Sequence, residues 1–261
     1  MDFLFLGTGA ADFSPLLEET PGPDLSDPSI RRSTATLLDG ELLFDCGPHL
    51  PQELALCDVR PGQVKALLQT HFHTDHFNLD SLQLLADAAV ERETPLHVYF
   101  RADGEMPALP GLELHPVVPG ETVCICGYTV TAVEANHAAN ALHYSVEKDG
   151  CRLFYGLDGA WVLNGAIPHM QGKRYDVMVL DATVGDYEGD YRVGEHNSIP
   201  MLRMMEKSFR TLEICDDKTL IVLDHIARTL HKPHDELCRQ VQGDGYLPAY
   251  DGMRLSVQAK V

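Results

Sequence analysis

Apolar residues along this chain come in short runs separated by Gly, Pro, Asp and Asn. Runs at Phe3–Leu6, Thr36–Leu38, Leu42–Phe44, Val64–Leu68, Leu96–Phe100, Tyr128–Val133, Leu142–Val146, Arg152–Tyr155, Val177–Leu180 and Leu220–Leu223 have the length of strands. Three other segments carry apolar residues at helical spacing. These are Leu79–Val90 (Leu82, Leu85, Ala86 and Ala89 on one face), Ser198–Phe209 (Leu202, Met205, Phe209) and Pro233–Val241. Strands and hairpins come first and a mixture of strands and helices follows, which predicts a layered α/β protein with mixed sheets. Residues 11–30, rich in proline and acidic side chains and without periodicity, predict a long surface loop of the length of a lid.

The 261 residues, 44% of them hydrophobic, suit one large domain with a full core and exclude a disordered chain. The opening MDFLFLGTGA has no basic leader and no cleavage pattern, and no eighteen apolar residues run together. A cytoplasmic protein that neither spans nor enters a membrane is expected. The formal net charge of −19 repels phosphate backbones, so a small-molecule substrate is expected and a nucleic-acid partner is not. Seven cysteines without a CxxC pair fit a reducing compartment. Cys124 and Cys126, two apart in TVCICGYTV, are expected on one face of a strand and in the core. A homodimer is among the oligomeric states that the sequence leaves open.

The chemistry concentrates in Gln69-Thr70-His71-Phe72-His73-Thr74-Asp75-His76. Imidazole suits zinc, manganese or iron, and carboxylate adds a hard oxygen donor. Four such groups in six residues converge on metal only if the backbone curls, as it does at a strand-to-helix turn. His71 and His73 are close enough to share one ion, while Asp75 and His76 project to the other side and can hold a second. His231 and His234, in HKPH, have no cysteine nearby and read as a solvated loop.

HFHTDH matches the HxHxDH signature, and the chain is similar to the metallo-β-lactamase fold superfamily over almost its whole length. FLFLGTGA near the start, RSTAT followed by LFDCG, VEANHAANALHYSVE, YGLD and VLDH carry the rest of the resemblance. It implies a four-layer αββα sandwich with two mixed β-sheets, residues 1–261 forming a single domain with a metal site at one edge. It further implies His137 as the third histidine of a first metal beside His71 and His73, Asp158 as a carboxylate shared by two metals, and His225 completing a second with Asp75 and His76. Asp158 and His225 also end apolar runs, where an unpaired polar group would be costly. His143 competes with His137, although it falls inside the strand pattern LHYSVE. Asp45 either orients a ligand histidine or shapes a turn.

With all these positions filled, the chain resembles the phosphodiesterase branch of the superfamily, which includes tRNA 3′-processing endonucleases and the cyclic-phosphate phosphodiesterase of the carbon-phosphorus lyase pathway. The closing YDGM is similar to the end of the latter, but residues 11–30 lack the cysteines that hold its structural zinc. His196, just before a helix, corresponds to the histidine that faces the scissile phosphate in that branch, and the helix N-terminus would add donors for an anion. The resemblance implies hydrolysis of a small, cyclic or acyclic, phosphodiester by a metal-bridging hydroxide, with Asp75 and His196 catalytic and two divalent ions of zinc or manganese, or iron, as cofactors. The same metals would also serve a carbonyl hydrolase acting on a lactone, thioester or amide. A non-catalytic metal-binding protein is the third reading.

Overall fold

The apolar runs pair into two sheets of seven strands. The computed structural model describes residues 1–260 apart from Pro21, 138–140 and Glu188. The first sheet holds β1 (Asp2–Gly7), β2 (Ala35–Leu38), β3 (Leu42–Phe44), β4 (Ala66–Leu68), β5 (Leu96–Arg101) and β6 (Leu112–Val117), closed beside β1 by β14 (Met253–Ser256). The second runs in spatial order from β13 (Leu247–Pro248) through β12 (Leu220–Asp224), β11 (Val177–Asp181), β10 (Cys151–Gly156), β9 (Leu142–Lys148) and β8 (Tyr128–Glu134) to β7 (Thr122–Ile125). Both sheets are mixed: β3 to β6 and β10 to β13 are parallel ladders, and the remaining pairs are antiparallel.

Alternation along the strands sends one set of side chains into the space between the sheets and the other set outward. Phe5, Phe44, Tyr144, Tyr155 and Val179 fill the interior layer, where the rings of Phe44 and Tyr155 stack with centroids 4.1 Å apart. Outside the first sheet lie α1 (Leu50–Leu56) and α2 (Leu79–Glu91), packing Leu54, Leu82 and Leu85 on Leu43, Leu67 and Val98. Outside the second lie α3 (Ile167–Met170), α4 (Ile199–Thr211) and α5 (His234–Val241), packing Met170, Leu202, Phe209 and Leu237 on Met178 and Ile221. The result is the expected four-layer αββα sandwich. None of the helices among the described residues is long and apolar enough to cross a membrane.

Three differences from the sequence reading have physical reasons. Strand β6, LELHPV, escaped notice because it is polar and contains Pro116; at the edge of a sheet a proline costs no ladder bond to a further strand. Cys124 and Cys126 are not core residues: Cys124 is exposed, and Cys126 sits with Gly127 in the two-residue turn between β7 and β8, both at positive φ as a tight hairpin requires. The 11–30 excursion is tied to the body, since Asp12 accepts from Thr229 N at 2.7 Å and Arg32 Nη2 donates to Pro23 O at 2.6 Å.

Glu53 on α1 is fully buried, with Oε1 accepting from Ser33 Oγ at 3.3 Å and Oε2 lacking any hydrogen bond. Burial, reinforced by the nearby Asp251 carboxylate, holds its pKa well above 4.5 against the opposing pull of Arg32. The folded chain therefore keeps this proton more tightly than the unfolded chain, and parent stability drops as pH rises from the ordinary carboxyl value to the raised one. Glu53→Gln, which cannot titrate, should match the parent below that window and exceed it above by about 1–3 kcal/mol. Urea unfolding of both proteins at acid and at neutral pH tests this; parallel pH dependences would show that Glu53 is not responsible.

Candidate metal centre

Both parallel ladders end on the same side of the molecule, and the crevice beyond their carboxyl ends is where an α/β sheet offers a site. Strand β4 leads into the HFHTDH loop, β3 into Asp45, β10 into Asp158, β11 into Asp181 and β12 into His225. Bridges from Gly9 to Ser33 and to Ile226 join the two sheets there. Asp45, Asp158 and His225 all have left-handed backbones, with φ of 62°, 52° and 55°. Each such residue costs about 1–3 kcal/mol, and each here turns the chain sharply so that its side chain points across the strand ends. The ligand loop lies against Gly47, where a Cβ would collide with the backbone oxygen of Asp75.

The seven residues read from the sequence as candidate metal ligands come together. His71, His73, His137 and Asp158 form one group and Asp75, His76, Asp158 and His225 another, each with ligating atoms within 4.8 Å of one another. Asp158 is the junction: Oδ2 lies 3.4 Å from His71 Nε2 and 3.3 Å from His137 Nε2, and Oδ1 lies 3.2 Å from His76 Nε2 and 3.0 Å from His225 Nε2. His137 Nε2 stands 3.1 Å from His73 Nδ1, and Asp75 Oδ2 3.3 Å from His225 Nε2. His143 belongs to neither group; it is buried in β9, edge-on to Phe154 and closed in by Gly159, and burial drives its pKa down to about 4.

The far side of each ring is held as well. Asp45 Oδ2 receives His76 Nδ1 at 2.7 Å and is itself fixed by Thr70 N and Oγ1 and Gln69 Nε2. Thr183 Oγ1 lies 2.7 Å from His225 Nδ1, and His137 Nδ1 lies 3.0 Å from Glu195 O. Such partners keep the proton on Nδ1 and leave the Nε2 lone pair for a cation. Asp45→Asn should lower metal affinity about 10–100-fold, because an amide cannot accept the His76 proton with the same strength. A chelator-competition titration measures this, and unchanged affinity would leave Asp45 a turn residue only.

Burial opposes charge at every one of these groups, yet the carboxylates outweigh it at two histidines. Asp158 and Asp45 hold His76 well above the usual imidazole range, and Asp158 with Asp75 holds His225 up to about 10. At His71 burial prevails, assisted by the positive charge of His76, and lowers the pKa. His71 Nε2 and Asp158 Oδ1 are buried without a hydrogen bond. Two orphaned donor atoms aimed into one nitrogen-and-oxygen set fit divalent transition metals, which would satisfy both.

His196 stands beside the second group, its ring stacked on His225 with centroids 5.4 Å apart. Its Nδ1 lies 2.8 Å from Asp181 Oδ2 and 3.2 Å from Thr183 Oγ1, and against burial Asp181 raises its pKa above the ordinary value. The start of α4 does not supply the anion donors expected there. Asn197 N, Ile199 N and Met201 N already serve Asp181, Gly185 O and Ser198 Oγ, and Pro200 has no N–H. Sequence reading missed Asp181 and Thr183, although VMVLDAT ends an apolar run with a carboxylate in the same way as the runs that end at Asp158 and Asp224. His231 and His234 are not a solvated pair: His231 Nε2 reaches Ala182 O at 2.7 Å, and His234 Nδ1 lies 3.1 Å from Arg31 Nη2.

A pocket of about 200 Å³ opens over the centre, walled by Ala10 to Asp12, Arg192, Glu195 and His196. The first residues of the 11–30 loop thus already form part of its rim.

A sandwich with histidines and aspartates gathered at its parallel strand ends defines a metallo-hydrolase fold, and the chain belongs to the β-lactamase superfamily: the family model described as "Beta-lactamase superfamily domain" matches residues 41–225. Among curated proteins it is 30% identical over 159 residues to Ribonuclease Z of Myxococcus xanthus, covering 53% of this chain and 50% of that protein. It is 33% identical over 107 residues to Zinc phosphodiesterase ELAC protein 1 of Mus musculus, covering 38% and 25%. The chain thus spans about half the length, or less, of the curated relatives it matches. Human tRNase Z, short form, superimposes with a TM-score of 0.70 at 22% identity, over 99% of this chain and 100% of that one. The metallo-β-lactamase fold protein YhfI from Bacillus subtilis gives 0.72 at 15% identity, over 97% and 98%.

Relatives named ribonucleases conflict with the expectation of no nucleic-acid partner. A net charge of −19 averages over the whole surface. The field at one pocket is set by nearby groups, here including Arg192.

Proposed function

We propose that this chain is a metal-dependent phosphodiesterase. His71, His73 and His137 would hold one divalent transition metal, and Asp75, His76 and His225 a second, with Asp158 shared between them. Bound there, such ions supply Lewis acidity toward phosphoryl oxygens and water. The observation that carries the reading is the His196–Asp181 pair adjoining the ligands, with Asp158, Asp181, His196 and His225 all within 4.8 Å. With Nδ1 engaged by Asp181 and Thr183, His196 keeps Nε2 for the pocket and can give a proton to the oxygen that leaves phosphorus. Asp181 steadies the imidazolium that does this, and Thr183 couples that ring to His225. Asp75, buried at the pocket floor, binds metal and accepts hydrogen bonds from whatever enters. Arg192, its guanidinium paired to Asp190 at 2.7 Å, faces an incoming anion from the rim.

The phosphodiester is the substrate bond. A pocket of about 200 Å³ takes one such group with its immediate substituents, which favours a small, cyclic or acyclic, phosphodiester. The names of the relatives support RNA as the second reading. Metal-loaded protein assayed with bis(p-nitrophenyl) phosphate, a cyclic nucleotide, a 3′-extended RNA, a lactone and a thioester separates these. Phosphodiester cleavage with inert carbonyl substrates is expected. Turnover of the lactone or thioester alone would replace the proposal with a carbonyl hydrolase.

A further inference from the structure

A second group of ligating side chains lies on the edge of the first sheet, on β5 and β6. In their parallel ladder His97 is opposite Glu113 and Tyr99 is opposite His115, so all four side chains share one face. Tyr99 and Val117 on that face reach into the layer between the sheets. His97 and Glu113 stand where the sandwich opens, with side chains 36% and 54% exposed.

The ligating atoms converge. His97 Nδ1 lies 3.1 Å from His115 Nε2, and the two oxygens of Glu113 divide between the rings, Oε2 3.6 Å from His97 Nδ1 and Oε1 3.5 Å from His115 Nε2. A tetrahedral zinc with ligands at about 2.0–2.2 Å needs donor atoms about 3.2–3.6 Å apart; the edge between the two rings comes within about 0.1 Å of that range, and one ligand atom from each of the three residues lies within 4.8 Å of the others. The ring of His115 is stacked on Tyr99 at 4.5 Å and 15°, so one ligand is oriented before any ion arrives.

We propose that His97, Glu113 and His115 form a separate site for a divalent transition metal of the zinc type. It has three protein ligands, leaves a position to water, and clips the edge strand β6 to β5. The site is independent of the centre at the strand ends and of the phosphodiesterase reading.

The test is zinc uptake by the whole protein in equilibrium dialysis at about 10 µM free zinc, with metal counted by mass spectrometry and the cobalt-substituted site followed by its visible absorption. The parent should hold one more ion than His97→Ala/His115→Ala, whose hydrolytic activity should equal the parent's. Asp158→Ala, altered at the other centre, should retain this extra ion. Glu113→Gln changes an exposed side chain and leaves the fold intact, and it should weaken uptake at least about tenfold. Equal zinc content in the parent and the double variant, or unchanged uptake in Glu113→Gln should the double variant fail to fold, would overturn the proposal. The two rings would then be an N–H···N hydrogen-bonded pair and nothing more.

Discussion

Asp158→Ala should strip the centre of metal and reduce phosphodiester hydrolysis by about 10³-fold or more, equivalent to about 4 kcal/mol of transition-state stabilisation. Among the described residues Asp158 alone belongs to both ligand groups: its two oxygens reach four imidazoles at 3.0 to 3.4 Å. Losing it removes the one donor that, among the described residues, the two clusters share. Alanine also tolerates the left-handed backbone at this position, φ 52°, less well than aspartate, so a modest fall in Tm accompanies the substitution. Asp158→Asn, with the same shape and no charge, separates the two effects. Metal analysis and initial rates with bis(p-nitrophenyl) phosphate decide the matter. A folded Asp158→Ala protein with a full metal complement and near-parent turnover would refute the shared-ligand assignment.

His196→Ala should behave differently, keeping the parent's metal content while losing about 10²- to 10⁴-fold in turnover of phosphodiesters with poor leaving groups. The distinction follows from geometry. The ring touches His225 face to face, but its Nδ1 is committed to Asp181, so its removal exposes Asp181 and Thr183 without taking a donor from either proposed metal. Proton donation matters most where the departing alkoxide is basic, and p-nitrophenolate leaves without help. The loss should therefore shrink as the leaving group improves. Equal rates in parent and variant for both kinds of substrate would reduce His196 to a loop residue and remove the main support for a phosphodiesterase over a carbonyl hydrolase. Asp181→Asn should show the same dependence on leaving group in weaker form, since it disturbs the orientation of the ring and leaves the ring itself in place.

Much of this architecture is legible in the chain because its causes are local. The period-two run Leu142–Val146 sends its apolar side chains into the layer between the sheets, helical spacing in Leu79–Val90 reflects burial on one face, and both lie in the elements so read. The HFHTDH loop is likewise local, since its donors are neighbours in sequence and need only one turn to meet. Asp158 and His225 were implied by the resemblance carried by YGLD and VLDH, and their position at the ends of apolar runs agrees with it.

What the chain could not declare depends on residues that meet only when the sheets stack. His137 and His143 are equivalent by composition, and only the registry of β9 sends His143 behind Gly159 while His137 faces His73. Asp181 and Thr183 gained their significance from His196 and His225, thirteen and forty-two residues beyond Thr183. Strand β6 was hidden by its polarity, yet its pairing brings His115 beside His97 across eighteen positions of sequence. The sequence by itself determined the layers and the loop of ligands, because hydrophobic period and local ligand spacing are written in adjacent residues. The tertiary structure decided between His137 and His143 and brought Asp181 and Thr183 to the site, because convergence at strand ends is set by sheet registry, and registry is a property of the packed whole.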